Sequence, residues 1–273
     1  MYCKVIDKKG RQAYNGQHEQ GRSSEEGRVS GSEACFPLMN ALTFWSDHDT
    51  KGEEAMLREG QVRIPSGCAV SGIFAKDGRR LSGESIIKSI SIMHDRSNGL
   101  GGGFAGYGIY PEYKEHYAFH VFYDDKAAKE ACEKFIDDHF DVVNLSKIPV
   151  RKTPKITDEP LIWRYFVNPL PTKLKDSQLD EREYTARCVM RINTRIEGAY
   201  VFSSGKNMGV FKAVGYPEDV GDFYRLEEYS GYCWTAHGRY PTNTPGWWGG
   251  AHPFAMLDLS LIHISEPTRH AQI

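Results

Sequence analysis

The chain has 273 residues and a formal net charge of -2, which allows one large domain or two small ones and offers no polyanion-binding surface. Nucleic acid is therefore not an expected partner, and no apolar run approaches the ~20 residues of a membrane span. Six scattered cysteines without a C-x-x-C pair give no support for a zinc ribbon or an iron–sulfur site, and they fit a reducing, cytoplasmic compartment.

The N-terminal residues lack the apolar core of a signal peptide. Residues 8–32 are rich in Gly, Ser, Gln, Glu and Arg with almost nothing to bury, which predicts disorder. A short apolar island at 36–45 follows. The pattern turns globular at Cys68. Residues 69–75 read as a buried strand, and 84–93 as a helix with Ile86, Ile87, Ile90 and Met93 on one face and Ser82 placed to cap it. Strands are expected at 104–110, 117–123 and 161–167, and a second helix at 126–139. The proline-bearing stretch 149–171 interrupts this regularity and reads as an insertion crossing the surface. A third helix is expected at about 178–195, carrying Leu179, Ala186, Val189, Met190 and Ile196. A hairpin should follow, 199–203 and 209–214, around Ser204-Gly205-Lys206-Asn207. Mixed strands and helices in this order allow a sheet sandwich flanked by helices.

Two tempting motifs fail on context. Gly101, Gly103 and Gly106 satisfy G-x-G-x-x-G, but that fingerprint must follow a strand and open a helix, and here the order is reversed. His116 and His120 are spaced i, i+4, yet on a strand at ~3.3 Å per residue they stand about 13 Å apart, so a metal site is not expected.

Two further runs carry more. The first is Arg63-Ile64-Pro65-Ser66-Gly67-Cys68-Ala69-Val70-Ser71-Gly72-Ile73-Phe74; the second is His237-Gly238-Arg239-Tyr240-Pro241-Thr242-Asn243-Thr244. Taken singly, Cys68 is a small buried residue opening a strand, and Arg239 a surface arginine with an acidic neighbour. Together, in this order, they resemble the class II glutamine amidotransferases, which are N-terminal-nucleophile hydrolases. The wording is closest to the amidotransferase part of glutamate synthase, over about 63–258.

The resemblance implies an α+β fold, a four-layer αββα sandwich. It makes Cys68 the catalytic nucleophile, exposed by cleavage between Gly67 and Cys68, with the freed α-amine as base. An α-amine titrates near ~7.7–8.0 and a free thiol at about 8.5, a workable match for proton shuttling. Ile64-Pro65-Ser66-Gly67 suits presenting that bond, since the residue before proline is biased to extended geometry and glycine lets the backbone turn. Arg239 would bind the glutamine carboxylate through its guanidinium fork, and Thr242 would help position the substrate backbone. His237 would then be a packed or hydrogen-bonded residue, not the base. Residues 93–106 resemble a close-packed family turn beside the active site, although the spelling differs and no individual roles transfer.

No metal or cofactor is implied for this chain. The FMN, iron–sulfur clusters and NADPH of a glutamate synthase would belong to partner domains or subunits. The implied partners are L-glutamine and a synthase domain or subunit that receives ammonia. Two alternatives stay open: an ammonia acceptor on a different synthetase, or a non-catalytic amidotransferase-like protein that binds glutamine for regulation.

The resemblance divides the chain into a disordered upstream extension or propeptide at 1–67, the N-terminal portion of the amidotransferase domain at 68–258, and a tail at 259–273. A family-typical start would lie at Met56. In the tail, LSLIHISEPTR resembles a translated sequencing adapter. There the family continues with a strand ending His-Asn-Gly, whose asparagine side chain and glycine N–H form the oxyanion hole; here Ile264-Ser265 follows His263. On that reading the sandwich is incomplete at its C-terminus. The chain should then turn over no useful glutamine, because losing one oxyanion donor costs ~10²–10³ in rate.

Overall fold

The computed structural model describes residues 67–241 and 244–261, together with the strands β1 (Tyr2–Ile6) and β2 (Gln12–Tyr14). All of them fall within the unit made of Met1–Asn15 and Pro65–Ile273. Short 3-10 turns aside, the further elements in chain order are β3 (Ala69–Ala75), β4 (Leu81–Ser82), α1 (Glu84–Ser91), β5 (Gly102–Tyr107), β6 (Tyr117–Tyr123), α2 (Lys126–His139), β7 (Phe140–Lys147), β8 (Leu161–Pro169), α3 (Pro171–Ser177), α4 (Glu181–Arg195), β9 (Ala199–Ser203), β10 (Met208–Ala213), α5 (Pro217–Phe223), β11 (Ser230–Gly231), β12 (Cys233–Gly238), β13 (Phe254–Met256) and β14 (Leu259–Leu261).

Two sheets dominate. The first has the order β10-β5-β12-β3-β1-β2, and the second the order β7-β8-β6-β9. Strand β6 is buried along its whole length, and its aromatic and aliphatic run on both faces is interrupted only by His120. Its Tyr117, Phe119, Val121 and Tyr123 pack against Cys132 and Ile136 of α2 and Val189 and Ile192 of α4. Its Ala118 and Phe122 turn the other way, into a core shared with Phe166, Phe202, Met208 and Val210. On the far side of the first sheet, Ile86 and Ile90 of α1 and Val220 and Phe223 of α5 meet Phe104 and Ile73. Ser71 Oγ and Ser89 Oγ tie β3 to α1 at 2.7 Å. The layers are thus α1/α5, sheet, sheet, α2/α4: an αββα sandwich of the N-terminal-nucleophile hydrolase type.

Local signals place several elements where the sequence puts them. Helix α2 starts at Asp125, whose side chain accepts from the Ala128 amide, and runs over 126–139 as expected. Strands β3 and β6 keep their expected limits.

Elsewhere the structure corrects the reading. The expected 178–195 helix begins only at Glu181, capped by Asp180, because Gln178 takes a left-handed conformation that ends the separate helix α3. Met190, assigned to its buried face, is exposed, and Tyr184, Cys188 and Ile192 do the packing. Gly83, not Ser82, occupies the N-cap of α1, although Ser82 Oγ does accept from the Glu84 amide at 3.2 Å. A Cβ at Gly83 would fall 2.2 Å from the Leu226 carbonyl oxygen, so no larger residue fits there. The expected hairpin over 199–214 does not form. Strand β9 pairs with β6 in one sheet and β10 with β5 in the other, so residues 204–207 carry the chain between the layers. Of the proline-bearing stretch 149–171, only the part before Leu161 is irregular; β8 is an inner strand of its sheet. Strand β7, which follows α2 directly, was not foreseen. Within the extension expected to lack structure, β1 pairs parallel with β3 and antiparallel with β2.

Candidate active site

The site grows out of one strand register. Strand β12 lies between β3 and β5, pairing Gly238 with both Ala69 and Gly102. One residue further along, Arg239 falls opposite Cys68 on one side and Gly101 on the other. The Arg239 amide donates to the Gly101 carbonyl at 2.8 Å, and the Tyr240 amide donates to Cys68 Sγ at 3.4 Å. Two runs separated by most of the chain therefore meet at the same end of the first sheet. Alternation along the strands puts Cys68, Arg239 and Gly101 on the sheet face that also carries Val70, His237, Gly103 and Lys212.

Gly67 has φ +124, which favours glycine, and so turns the chain into β3 with Cys68 at the strand entrance. A Cβ at Gly67 would stand 3.3 Å from Arg96 Nη2. Cys68 is half-buried with a free thiol, and a cation and a backbone N–H thus flank the peptide bond and the sulfur. Arg96 belongs to the segment beside the Gly-rich run. That run enters β5 with no preceding strand and opens no helix, the arrangement expected from its order.

Arg239 is buried, with 7 % of its surface exposed. Its Nη2 donates to Thr244 Oγ1 at 2.7 Å and its Nη1 to the Pro245 carbonyl at 3.5 Å. The segment behind it is fixed from both sides: Ser97 Oγ and the Asn98 amide donate to the Arg239 carbonyl, and Asn98 Nδ2 donates to the Pro241 carbonyl. The guanidinium is held before any ligand arrives, which lowers the ordering cost of gripping a carboxylate. Thr242 lies outside the described residues.

His237 is buried and packs its ring 4.6 Å from that of His252, as a packed histidine should. His120 is fully buried as well. Its Nδ1–H donates to the Val210 carbonyl at 2.8 Å and its Nε2 accepts from Tyr110 Oη at 2.9 Å, which fixes a neutral tautomer. Burial pulls its pKa down to about 3. His116 instead meets Asn168 Oδ1 at 3.0 Å. Among the described residues no group of three His, Cys, Asp or Glu side chains could hold a metal ion. No helix among them is long and apolar enough to cross a membrane.

The family model of the class II glutamine amidotransferases matches residues 108–260, more than half of the chain. The chain belongs to that family. The matched stretch includes Arg239 but begins after Cys68. The chain is also 52% identical, over 202 residues, to an uncharacterised protein of Archaeoglobus fulgidus, covering 73% of this chain. The chain spans about half the length of that relative, 53%.

Sequence reasoning missed two residues near this candidate site. Thr244 sits inside the Arg239 motif without having been singled out, and a hydroxyl five residues from an arginine was the only signal. Lys212 carried a clearer one: it is a charged residue in the otherwise apolar strand Met-Gly-Val-Phe-Lys-Ala.

Proposed function

We propose that the chain is the glutaminase portion of a glutamate-synthase-type amidotransferase, with residues 68–258 forming that portion and Cys68 as its nucleophile. The observation that carries this reading is the register that sets Cys68 opposite Arg239, with the Tyr240 amide on the sulfur. Once the Gly67–Cys68 bond is cut, the freed α-amine takes the thiol proton as Sγ attacks the side-chain amide carbon of glutamine. The C–N bond breaks, the same proton leaves with ammonia, and the thioester left on Cys68 is hydrolysed by water to glutamate. Arg239 binds the α-carboxylate, and Thr242 helps to place the substrate backbone. Free thiols at Cys68, Cys132 and Cys188 suit a reducing cytoplasm. The ammonia passes to a synthase domain or subunit that holds the FMN, the iron–sulfur clusters and the NADPH site.

Turnover by this chain should be slight, because His263-Ile264-Ser265 stands where the family's oxyanion-hole sequence is expected. Covalent capture is the better test. A chloroketone analogue of glutamine alkylates the nucleophile as its C–Cl bond breaks and chloride departs. Rapid modification of Cys68, slowed by L-glutamine, is the expected result. A rate at Cys68 no faster than with a simple chloroketone that lacks the amino-acid group, and indifferent to glutamine, would overturn the assignment and favour a regulatory protein without a nucleophile.

A further inference from the structure

Lys212 is wholly buried on the sheet face that carries Arg239 and Cys68. Among the described residues no carboxylate pairs with it. Its Nζ donates to the Gly249 carbonyl at 2.8 Å and stands 4.5 Å from the centre of the Phe254 ring and 5.1 Å from that of Tyr200. Burial pulls its pKa down to about 7, so holding a lysine here costs stability that an apolar side chain would not. Such a cost calls for a task beyond packing.

The group that Lys212 holds suggests the task. Gly249 lies in the segment that follows Arg239 and folds back over the sheet. The near end of that segment, Thr244 and Pro245, receives the Arg239 guanidinium. Its far end passes the glycines of β5. A Cβ at Gly101 would meet both Arg239 Cδ at 3.3 Å and Ala251 Cα at 3.4 Å, and one at Gly103 would meet the His252 carbonyl oxygen at 2.1 Å and Lys212 Cβ at 2.9 Å. The segment therefore lies directly on the sheet, with the arginine at one end and the lysine amine at the other.

We propose that Lys212 is a positioning residue for substrate: through its hydrogen bond to Gly249 it fixes the 244–252 segment, and so sets the Arg239 guanidinium where it receives the α-carboxylate of glutamine. This rests on the glutaminase reading above and assigns Lys212 no contact with the reacting atoms.

The test compares two electrophiles at Cys68, read on the peptide that contains it. The chloroketone analogue of glutamine carries an α-carboxylate; iodoacetamide does not. In Lys212→Met the chloroketone should react about tenfold more slowly, the order expected for one hydrogen bond, while iodoacetamide reacts as before. Thermal stability should stay level or rise, the opposite of what a purely structural lysine predicts. A chloroketone rate equal to that of the unaltered chain, or an equal slowing with both reagents, overturns the proposal. Should Lys212→Met fail to fold by circular dichroism, Lys212→Gln carries the same comparison. If the unaltered chain shows no preference for the chloroketone at Cys68, the glutaminase reading itself has failed, which is a separate result.

Discussion

Tyr110 and His120 are joined by a 2.9 Å hydrogen bond between Oη and Nε2, in the fully buried space between the two sheets. The imidazole keeps its proton on Nδ1, facing the Val210 carbonyl, and its Nε2 accepts from the Tyr110 hydroxyl. Its folded pKa of about 3 lies below the ordinary 6.5. The unfolded chain therefore binds a proton between those values that the folded chain does not. Stability contributed by this group is complete above pH 6.5 and falls by about 1.4 kcal/mol per unit as the pH drops toward 3. Denaturant titrations at pH 7 and pH 5 should show a smaller loss on acidification in His120→Gln than in the unaltered chain. Equal losses would mean that the histidine is not held neutral.

Lys212 predicts a slope in the alkaline range. Its folded pKa of about 7 lies below the ordinary 10.5, so the unfolded chain binds the extra proton between those values. Stability rises with pH across that window, and the cost of burial is greatest below pH 7. The advantage of Lys212→Met in unfolding free energy should be largest at pH 6–7. It should then shrink by about 1.4 kcal/mol per unit toward pH 10. An advantage that does not change with pH would show that the amine titrates normally.

Two glycines separate forbidden approach from ordinary contact. At Gly103 a methyl would press on the His252 carbonyl oxygen, at 2.1 Å, and on the Phe211 carbonyl oxygen, at 2.9 Å. At Gly72 the nearest atom is 3.8 Å away. Gly103→Ala should lose about 1–3 kcal/mol or more in denaturant unfolding, and it should slow chloroketone capture at Cys68 by lifting the 244–252 segment. Gly72→Ala should fold with nearly unchanged stability. Similar costs at both positions would refute the packing argument.

Arg239→Lys keeps the charge but loses the fork that Thr244 and the Pro245 carbonyl hold. Glutamine protection of Cys68 against the chloroketone should need roughly 10–100-fold more glutamine, while iodoacetamide labelling stays as it was. Unaltered protection would place the carboxylate elsewhere.

Cleavage of the Gly67–Cys68 bond should depend on the backbone turn. At φ +124 a side chain is strained, and a Cβ there also meets Arg96. Mass spectrometry of Gly67→Val should show a chain that begins at Cys68 less often than the unaltered protein does. Equal cleavage would mean that the turn plays no part.

Local chemistry was legible wherever it was complete within a few residues. The strands expected at 69–75 and 117–123 and the helix at 126–139 form with those limits, the helix capped by Asp125. The two site motifs also stood out, because Cys68 and Arg239 each sit in a distinctive neighbourhood. The failures share one cause. Residues 199–203 and 209–214 look like hairpin arms, but both are buried on two faces, and nothing local says which neighbour each will pair with. Gln178 reads as helical until its left-handed backbone separates α3 from α4.

The sequence by itself determined several of the main elements and the two motifs, because caps and periodicities act over a few residues; the αββα class came with the family resemblance that those motifs carry. Only the tertiary structure decided that β9 and β10 lie in different sheets. It also decided that Cys68 faces Arg239 and that Lys212 reaches the segment behind that arginine. Those relationships are set by strand register and close backbone approach, which exist only once distant parts of the chain have packed together.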